Sequence, residues 1–182
     1  MPLPPPDCAR DASHQRSITI RAYARTDGLW DIEGQLTDAW SEPIPKAGGV
    51  LPAGEPMHAM WLRLTVDRTA TIVAAQAVTD AGPYGNACGT IAPDYSQLVG
   101  LRVARGYRDA IRRLFGRTAG CTHINELAGA MGSAVLQALW QELTEGADEK
   151  PFSIDGCHAL KSSSPQVAQF FPRWYRPQPD GE

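Results

Sequence analysis

The sequence lacks several features that would assign it to a class at once. It has no apolar run long enough to cross a membrane, and it does not start with the basic residues and apolar stretch of a signal peptide. Its formal net charge of -3 gives no electrostatic reason to bind nucleic acid. We therefore expect a cytoplasmic protein with neither a membrane nor a nucleic-acid partner. One local basic stripe, Arg102 to Arg113, indicates a solvated helix face or, alternatively, a site for an anionic ligand.

Cysteine is also scarce, with four among 182 residues, and no two of them form a Cys-x-x-Cys pair. In a chain of this length without a signal peptide, such cysteines are not typical of a disulfide framework. Length and composition predict one domain with a sizeable core. We expect residues 1–16 to be a proline-rich lead-in. Residues 17–182 are expected to form a single domain, on which the aromatic C-terminal segment 151–182 docks.

The first half of the chain has the apolar–polar alternation that is typical of half-buried β-strands. Two alternating segments flank Asp27-Gly28 and two more flank Arg68, which predicts two hairpins. After a loop at 80–93, apolar residues recur at helical spacing as far as Gly116 and again after Gly120. These patterns predict an α+β fold, with an antiparallel sheet of four to six strands and two or three helices on one face.

The run Gly120–Leu127 places a thiol, an imidazole and a carboxylate at the predicted start of a helix. Thr122 is expected to cap this helix, whose free N–H groups and dipole favour a thiolate at Cys121. In one interpretation Cys121 attacks a carbonyl or thioester, with His123 as the base and Glu126 orienting it. Because residues two apart on a helix do not face each other, Cys121 must then lie outside the helix.

The same region also favours a metal site. Cys88 lies in a glycine-rich loop after the last predicted strand, and this loop can meet the loop of Cys121 at one end of the domain. Together with His123 and Asp80, the two cysteines form a candidate ligand set for zinc or iron. Cys157-His158 is an alternative source of the fourth ligand. Cysteines with a purely structural role are a third interpretation.

A second group of residues predicts a pocket for a small molecule on the strands. Aromatic walls with a few charged groups are how such pockets are usually built. A solvated sheet face with cross-strand ion pairs is the alternative interpretation. The candidate substrate-binding residues are Asp31, Glu33, His58, Trp61, Arg63 and Tyr84.

Four segments resemble the bacterial domain-of-unknown-function family 2889 (DUF2889). They are residues 27–34 (DGLWDIEG), 60–67 (MWLRLTVD), 120–123 (GCTH) and 157–160 (CHAL). This resemblance implies a link with the catabolism of aromatic or acyl compounds. The order of hairpin, Cys88 loop, helix, Cys121 and helix is more loosely similar to iron–sulfur scaffold proteins of the IscU type. That similarity implies that Cys88, Cys121 and His123 converge, although the middle cysteine of those scaffolds has no counterpart here.

From these observations we expect an enzyme that acts on a small carbonyl or acyl compound. Its site is either metal-assisted, with zinc or iron, or uses Cys121 as a metal-free nucleophile. A metal- or iron–sulfur-binding accessory protein without turnover is one alternative. A small-ligand binding protein with structural cysteines is another. The expected partner is a small molecule, and homodimer formation is left open.

Overall fold

The computed structural model describes residues 3–144 and 149–178. The chain forms two compact units, one ending at Leu139 and one starting at Trp140. None of the helices in the described ranges has the length and apolar character needed to cross a membrane.

The first unit is built on an antiparallel sheet. Its strands are β1 (His14–Ala24), β2 (Trp30–Trp40), β3 (Ile44–Lys46), β4 (Gly49–Leu51), β5 (Pro56–Val66) and β6 (Ile72–Ala81). A four-stranded sheet has the order β1-β2-β5-β6, and β3 and β4 form a separate two-stranded sheet. The predicted α+β class, the antiparallel sheet and the two hairpins are confirmed. β1 begins at His14, so residues 14–16 belong to the sheet rather than to the predicted lead-in.

Three helices of this unit follow the sheet along the chain. They are α1 (Asn86–Gly89), α2 (Tyr107–Phe115) and α3 (Thr122–Ala138). α3 packs across β1, β2 and β5, and α2 packs on α3. Gly34 on β2 permits this close approach, because a Cβ there would lie 2.8 Å from both the Leu127 Cδ1 and the Met131 Sδ atoms. The helices therefore cover one face of the sheet, and the other face carries mostly polar side chains.

The second unit contains α4 (Trp140–Thr144) and α5 (Pro165–Phe170) among its described residues. Ser164 caps α5 by accepting a hydrogen bond from the Val167 N–H. Trp140 and Phe152 make an edge-to-face contact with ring centroids 5.4 Å apart. Cys157 is exposed. The predicted docking of segment 151–182 stays a prediction.

Candidate functional site

Three polar side chains lie side by side across β1, β2 and β5. Arg16 is the register partner of Asp38, and Asp38 is the register partner of His58. Side chains two residues apart on a strand share a face, and the next positions along this face are the buried Leu36 and Met60. The row Arg16–Asp38–His58 therefore continues the apolar inner face of the sheet and lies on the side that the helices cover.

The first turn of α3 lies over this row and adds His123. The His123 Nε2 atom is 3.6 Å from the Asp38 Oδ2 atom. Its ring stacks on that of His58, with centroids 3.7 Å apart and an angle of 28° between the planes. One helical turn later, Glu126 accepts a hydrogen bond of 2.6 Å from the Arg16 Nη1 atom. The end of the sheet and the start of α3 thus form one polar cluster.

Asp38 is the centre of the cluster and is only 1% exposed. The Arg16 guanidinium donates hydrogen bonds to both carboxylate oxygens. Its Nε atom donates to Oδ1 at 2.8 Å, and its Nη2 atom donates to Oδ2 at 2.7 Å. The His14 Nε2 atom lies 3.2 Å from Oδ1. Burial raises the pKa of Asp38, but the hydrogen bonds and charge of Arg16 outweigh burial, so the pKa lies below its ordinary value. Asp38 is therefore ionised at neutral pH.

The two stacked imidazoles are neutral at that pH. Burial lowers the pKa values of both His58 and His123, and the charge of Asp38 only partly opposes this effect. The His58 Nδ1 atom is buried, lies 3.2 Å from the Asp38 Oδ2 atom and has no further hydrogen-bond partner among the described residues. A neutral imidazole has a lone pair on one of its two ring nitrogens, which can bind a metal ion or a proton.

The start of α3 is fixed by a buried tyrosine. The Tyr95 hydroxyl accepts a hydrogen bond from the Cys121 N–H at 3.0 Å and donates to the Asn125 Oδ1 atom at 2.6 Å. The Tyr95 ring stacks on Phe115. The expectation that Thr122 caps the helix is wrong, because Cys121 occupies the N-cap position, no side chain caps it, and Thr122 is the first helical residue.

Cys121 lies outside the helix, as the nucleophile interpretation requires, because its backbone is extended (φ -93°, ψ 128°). Its Sγ atom is 3.9 Å from the His123 Nδ1 atom. The thiol and Asp38 therefore contact different nitrogens of one imidazole. Glu126 was predicted to orient His123, but its carboxylate bonds to Arg16, and the carboxylate nearest to the ring in these contacts is that of Asp38.

One set of side chains in the described part of the chain has the arrangement of metal ligands. Asp38, His58 and His123 each offer one ligand atom, and these atoms all lie within 4.8 Å of one another. Only His123 belongs to the ligand set predicted from the sequence. His58 was predicted to bind substrate, and Asp38 was not singled out.

The remaining predicted ligands are not part of this set. Asp80 accepts a hydrogen bond of 2.7 Å from the Trp61 Nε1 atom on the outer face of the sheet. Cys88 lies against Gly82 in the segment after β6. The structure thus brings Cys121 to His123, but places neither Cys88 nor Asp80 with them in a ligand group among the described residues. Strand alternation explains why Asp80 is not in the ligand group. Its side chain lies on the same face of the sheet as Trp61, whereas His58 lies on the opposite face.

The predicted substrate-binding residues divide between the two faces of the sheet. On the outer face Arg63 pairs with Glu33 at 2.6 Å, and the Thr65 hydroxyl donates to Asp31 at 2.7 Å. Glu33, Trp61 and Arg63 also line an outer cavity of about 340 Å³. His58 faces the helices instead, and Tyr84 is 72% exposed in the segment between β6 and α1.

Asp38, His14 and Arg16 are not among the residues predicted for the site, although the sequence carries a signal for them. The alternation that includes Ile32 and Leu36 continues to Asp38, and the alternation that includes Ile18 continues back to Arg16 and His14. A charged residue at a position that alternation predicts to be buried is an informative departure. Extending both strands by one or two steps would have found the carboxylate and its partners.

Comparison with curated proteins and with solved structures finds no match for the chain. The similarity to iron–sulfur scaffolds therefore stays a prediction. A family model described as "protein of unknown function (DUF2889)" matches residues 14–137. The match covers more than half of the chain and includes every residue of the cluster around Asp38. The chain belongs to the DUF2889 family.

Proposed function

We propose that Asp38, His58 and His123 bind a divalent transition metal, zinc or iron, and that the protein is a metal-dependent enzyme for a small carbonyl or acyl substrate. The spacing of the three ligand atoms carries this proposal. Two ligands about 2.0–2.1 Å from one metal lie about 2.9–3.4 Å apart at octahedral or tetrahedral angles. Of the two nitrogen–oxygen separations here, 3.2 Å lies within this range and 3.6 Å lies slightly above it, and the three ligand atoms lie within 4.8 Å of one another.

The charge states support the same proposal. Metal ligands must be deprotonated, and both imidazoles are neutral while Asp38 is ionised. The buried His58 Nδ1 atom, 3.2 Å from the Asp38 Oδ2 atom, lies where both atoms could bind the same ion. Arg16 fixes the carboxylate from the opposite side, as hydrogen-bonding groups around a metal site usually do.

A set of two histidines and one carboxylate leaves coordination positions for water or substrate, which distinguishes catalytic from structural sites. A metal held in this way activates water or polarises a carbonyl. The histidine and carboxylate ligands suit both zinc and ferrous iron. Cys121 contacts the His123 Nδ1 atom, while the Nε2 atom faces Asp38, so the thiol supports the ring from outside the ligand set.

Metal binding is tested with the full chain, by titrating metal-free protein with Zn²⁺, Fe²⁺ (under anaerobic conditions) and Co²⁺. We expect one ion per chain and, for Co²⁺, the visible absorption of a protein-bound ion. His58→Gln and His123→Gln should weaken binding at least 100-fold. His158→Gln, on the fourth histidine of the chain, is the matched control and should bind as the wild type does. Equal binding by all variants with native circular dichroism would contradict the proposal.

A second candidate function follows from the contact between Cys121 and His123. With Asp38 at the other ring nitrogen, the three residues have the order of a nucleophile, a base and an orienting carboxylate. In this candidate function Cys121 attacks a carbonyl or thioester without a metal. Cys121→Ala separates the two candidates, because it abolishes turnover by the nucleophile but lowers metal affinity only about tenfold, at the lower end of the effect of losing an outer contact, since the contact at 3.9 Å is long. Ester and thioester substrates with and without metal provide the assay.

A further inference from the structure

A groove in the first unit adjoins the cluster around Asp38. It has a volume of about 500 Å³ and lies between β1, α2 and α3. That size is within the range of small-ligand sites. The residues that line it are Ile18, Arg108, Ile111, Arg112, Thr122, Glu126, Gly129 and their neighbours. Glu126 belongs to both places, because it lines the groove and pairs with Arg16, which holds Asp38.

The absence of a side chain at Gly129 keeps part of the groove open. It lies inside the 17-residue helix α3, where glycine is less favourable than alanine. A Cβ at Gly129 would meet nothing within 4 Å. Gly132, one turn later, is different, since a Cβ there would lie 2.9 Å from the Tyr107 ring. Packing therefore accounts for Gly132, whereas at Gly129 the missing side chain leaves open space in the groove.

One charged side chain of the groove is available to an anion. Glu126 pairs with Arg16 at 2.6 Å, a guanidinium that it shares with Asp38, and Arg112 pairs with Asp109 at 3.0 Å. Arg108 also lines the groove and has no ion-pair partner among the described residues. The Arg108 guanidinium therefore has no carboxylate partner of its own beside the apolar side chains of Ile18 and Ile111. A carboxylate with an apolar body complements both features.

We propose that this groove binds the substrate of the metal site, and that the substrate is an organic anion with an aliphatic or aromatic body. The apolar body lies against Ile18, Ile111 and Gly129, and the negative group pairs with Arg108. This assignment of a substrate class rests on the proposed metal-dependent function. The groove itself consists of residues other than the three ligands, so its binding can be measured without metal.

The test is calorimetric titration of metal-free protein with octanoate and benzoate, each compared with its neutral amide. We expect the acids to bind at least tenfold more tightly than the amides. Gly129→Leu, which fills the groove, should weaken acid binding at least tenfold. Arg108→Gln should remove the preference for the acid. Matched controls are Gln137→Leu, at an exposed position of α3, and Arg105→Gln, at an exposed position before α2.

Each outcome bears on one proposal. Acid binding that is unaffected by Gly129→Leu, or no preference for acids over amides, overturns the assignment of the groove whether or not the protein binds metal. Acid binding that persists in His58→Gln, which should lack metal, supports the groove independently of the ligands. If the groove binds acids while the wild type takes up no metal, the proposed metal-dependent function is wrong. The assignment of the groove as a site for organic acids then still holds.

Discussion

Arg16 and Asp38 lie opposite each other on β1 and β2 and form a two-pronged ion pair, with nitrogen–oxygen distances of 2.8 and 2.7 Å. The pair joins a carboxylate that is 1% exposed to a guanidinium side chain that is 36% exposed. A buried charge is tolerated only when it is paired and hydrogen-bonded. Arg16 therefore makes it possible for an ionised Asp38 to lie between the sheet and α3.

We expect Arg16→Gln to lower the free energy of unfolding by about 2–4 kcal/mol, because it leaves the buried Asp38 charge without its partner. The lower part of this range is favoured because water reaches the Arg16 side chain and screens the pair. Urea denaturation measures the change. Arg21→Gln, on the exposed face of the same strand, is the control and should change stability by less than about 0.5 kcal/mol. Equal losses for the two variants would contradict the role assigned to Arg16.

In metal-free protein, we expect stability to decrease as the pH falls below about 6.5. Burial lowers the pKa values of His58 and His123, so the unfolded chain takes up these protons at a higher pH than the folded chain does. The free energy of unfolding therefore rises with pH between the lowered pKa values and the ordinary value. The lowered pKa of Asp38 acts in the same direction at more acidic pH.

Urea denaturation of metal-free wild type at a series of pH values from about 5 to 8 measures this dependence, which centres on the ordinary histidine pKa. The slope should become shallower in His58→Gln and in His123→Gln. His158→Gln serves as the control and should keep the wild-type slope. A wild-type protein that gains stability as the pH falls through this window would show that the imidazoles are charged in the folded state.

Two glycines of α3 should respond in opposite ways to the same added methyl group. Gly129→Ala should raise the free energy of unfolding by about 0.5–1 kcal/mol, because helix propensity improves and the new Cβ meets nothing within 4 Å. Gly132→Ala should lower it by about 1–3 kcal/mol, because its Cβ would lie 2.9 Å from the Tyr107 ring. Thermal unfolding of both variants measures the difference. Changes of the same sign would contradict the account of the groove.

Tyr95→Phe should destabilise the start of α3. The variant loses the hydrogen bonds to the Cys121 N–H and to Asn125, which corresponds to about 1–3 kcal/mol. Amide hydrogen exchange at Cys121 and Asn125 should accelerate, since these N–H groups bond to the Tyr95 hydroxyl and to the Cys121 carbonyl, and metal affinity should fall because His123 is less well positioned. Tyr23→Phe, at a position 46% exposed on β1, is the control. Unchanged exchange at Cys121 in Tyr95→Phe would show that the tyrosine does not hold the helix start.

Part of the site could be predicted from the sequence because it depends on local patterns. The run around Cys121 and His123 lies at the start of a helix, as predicted, and Cys121 lies outside that helix, which the nucleophile interpretation requires. The predicted capping residue, Thr122, is wrong by one position, because Cys121 is at the N-cap. The Cys121 N–H donates a hydrogen bond to the side-chain hydroxyl of the distant Tyr95 at this boundary, and the local sequence does not indicate that contact.

The sequence by itself determined the two hairpins and the apolar inner face, because strand periodicity is a property of neighbouring residues. It also contained the alternation that places Asp38 on that face. Only the tertiary structure decided that Arg16, Asp38 and His58 are register partners, and that His123 lies over them rather than beside Cys88. Strand register and the packing of α3 at Gly34 depend on contacts between segments far apart in the chain. The candidate metal site is formed by such contacts, so it could be identified only from the tertiary structure.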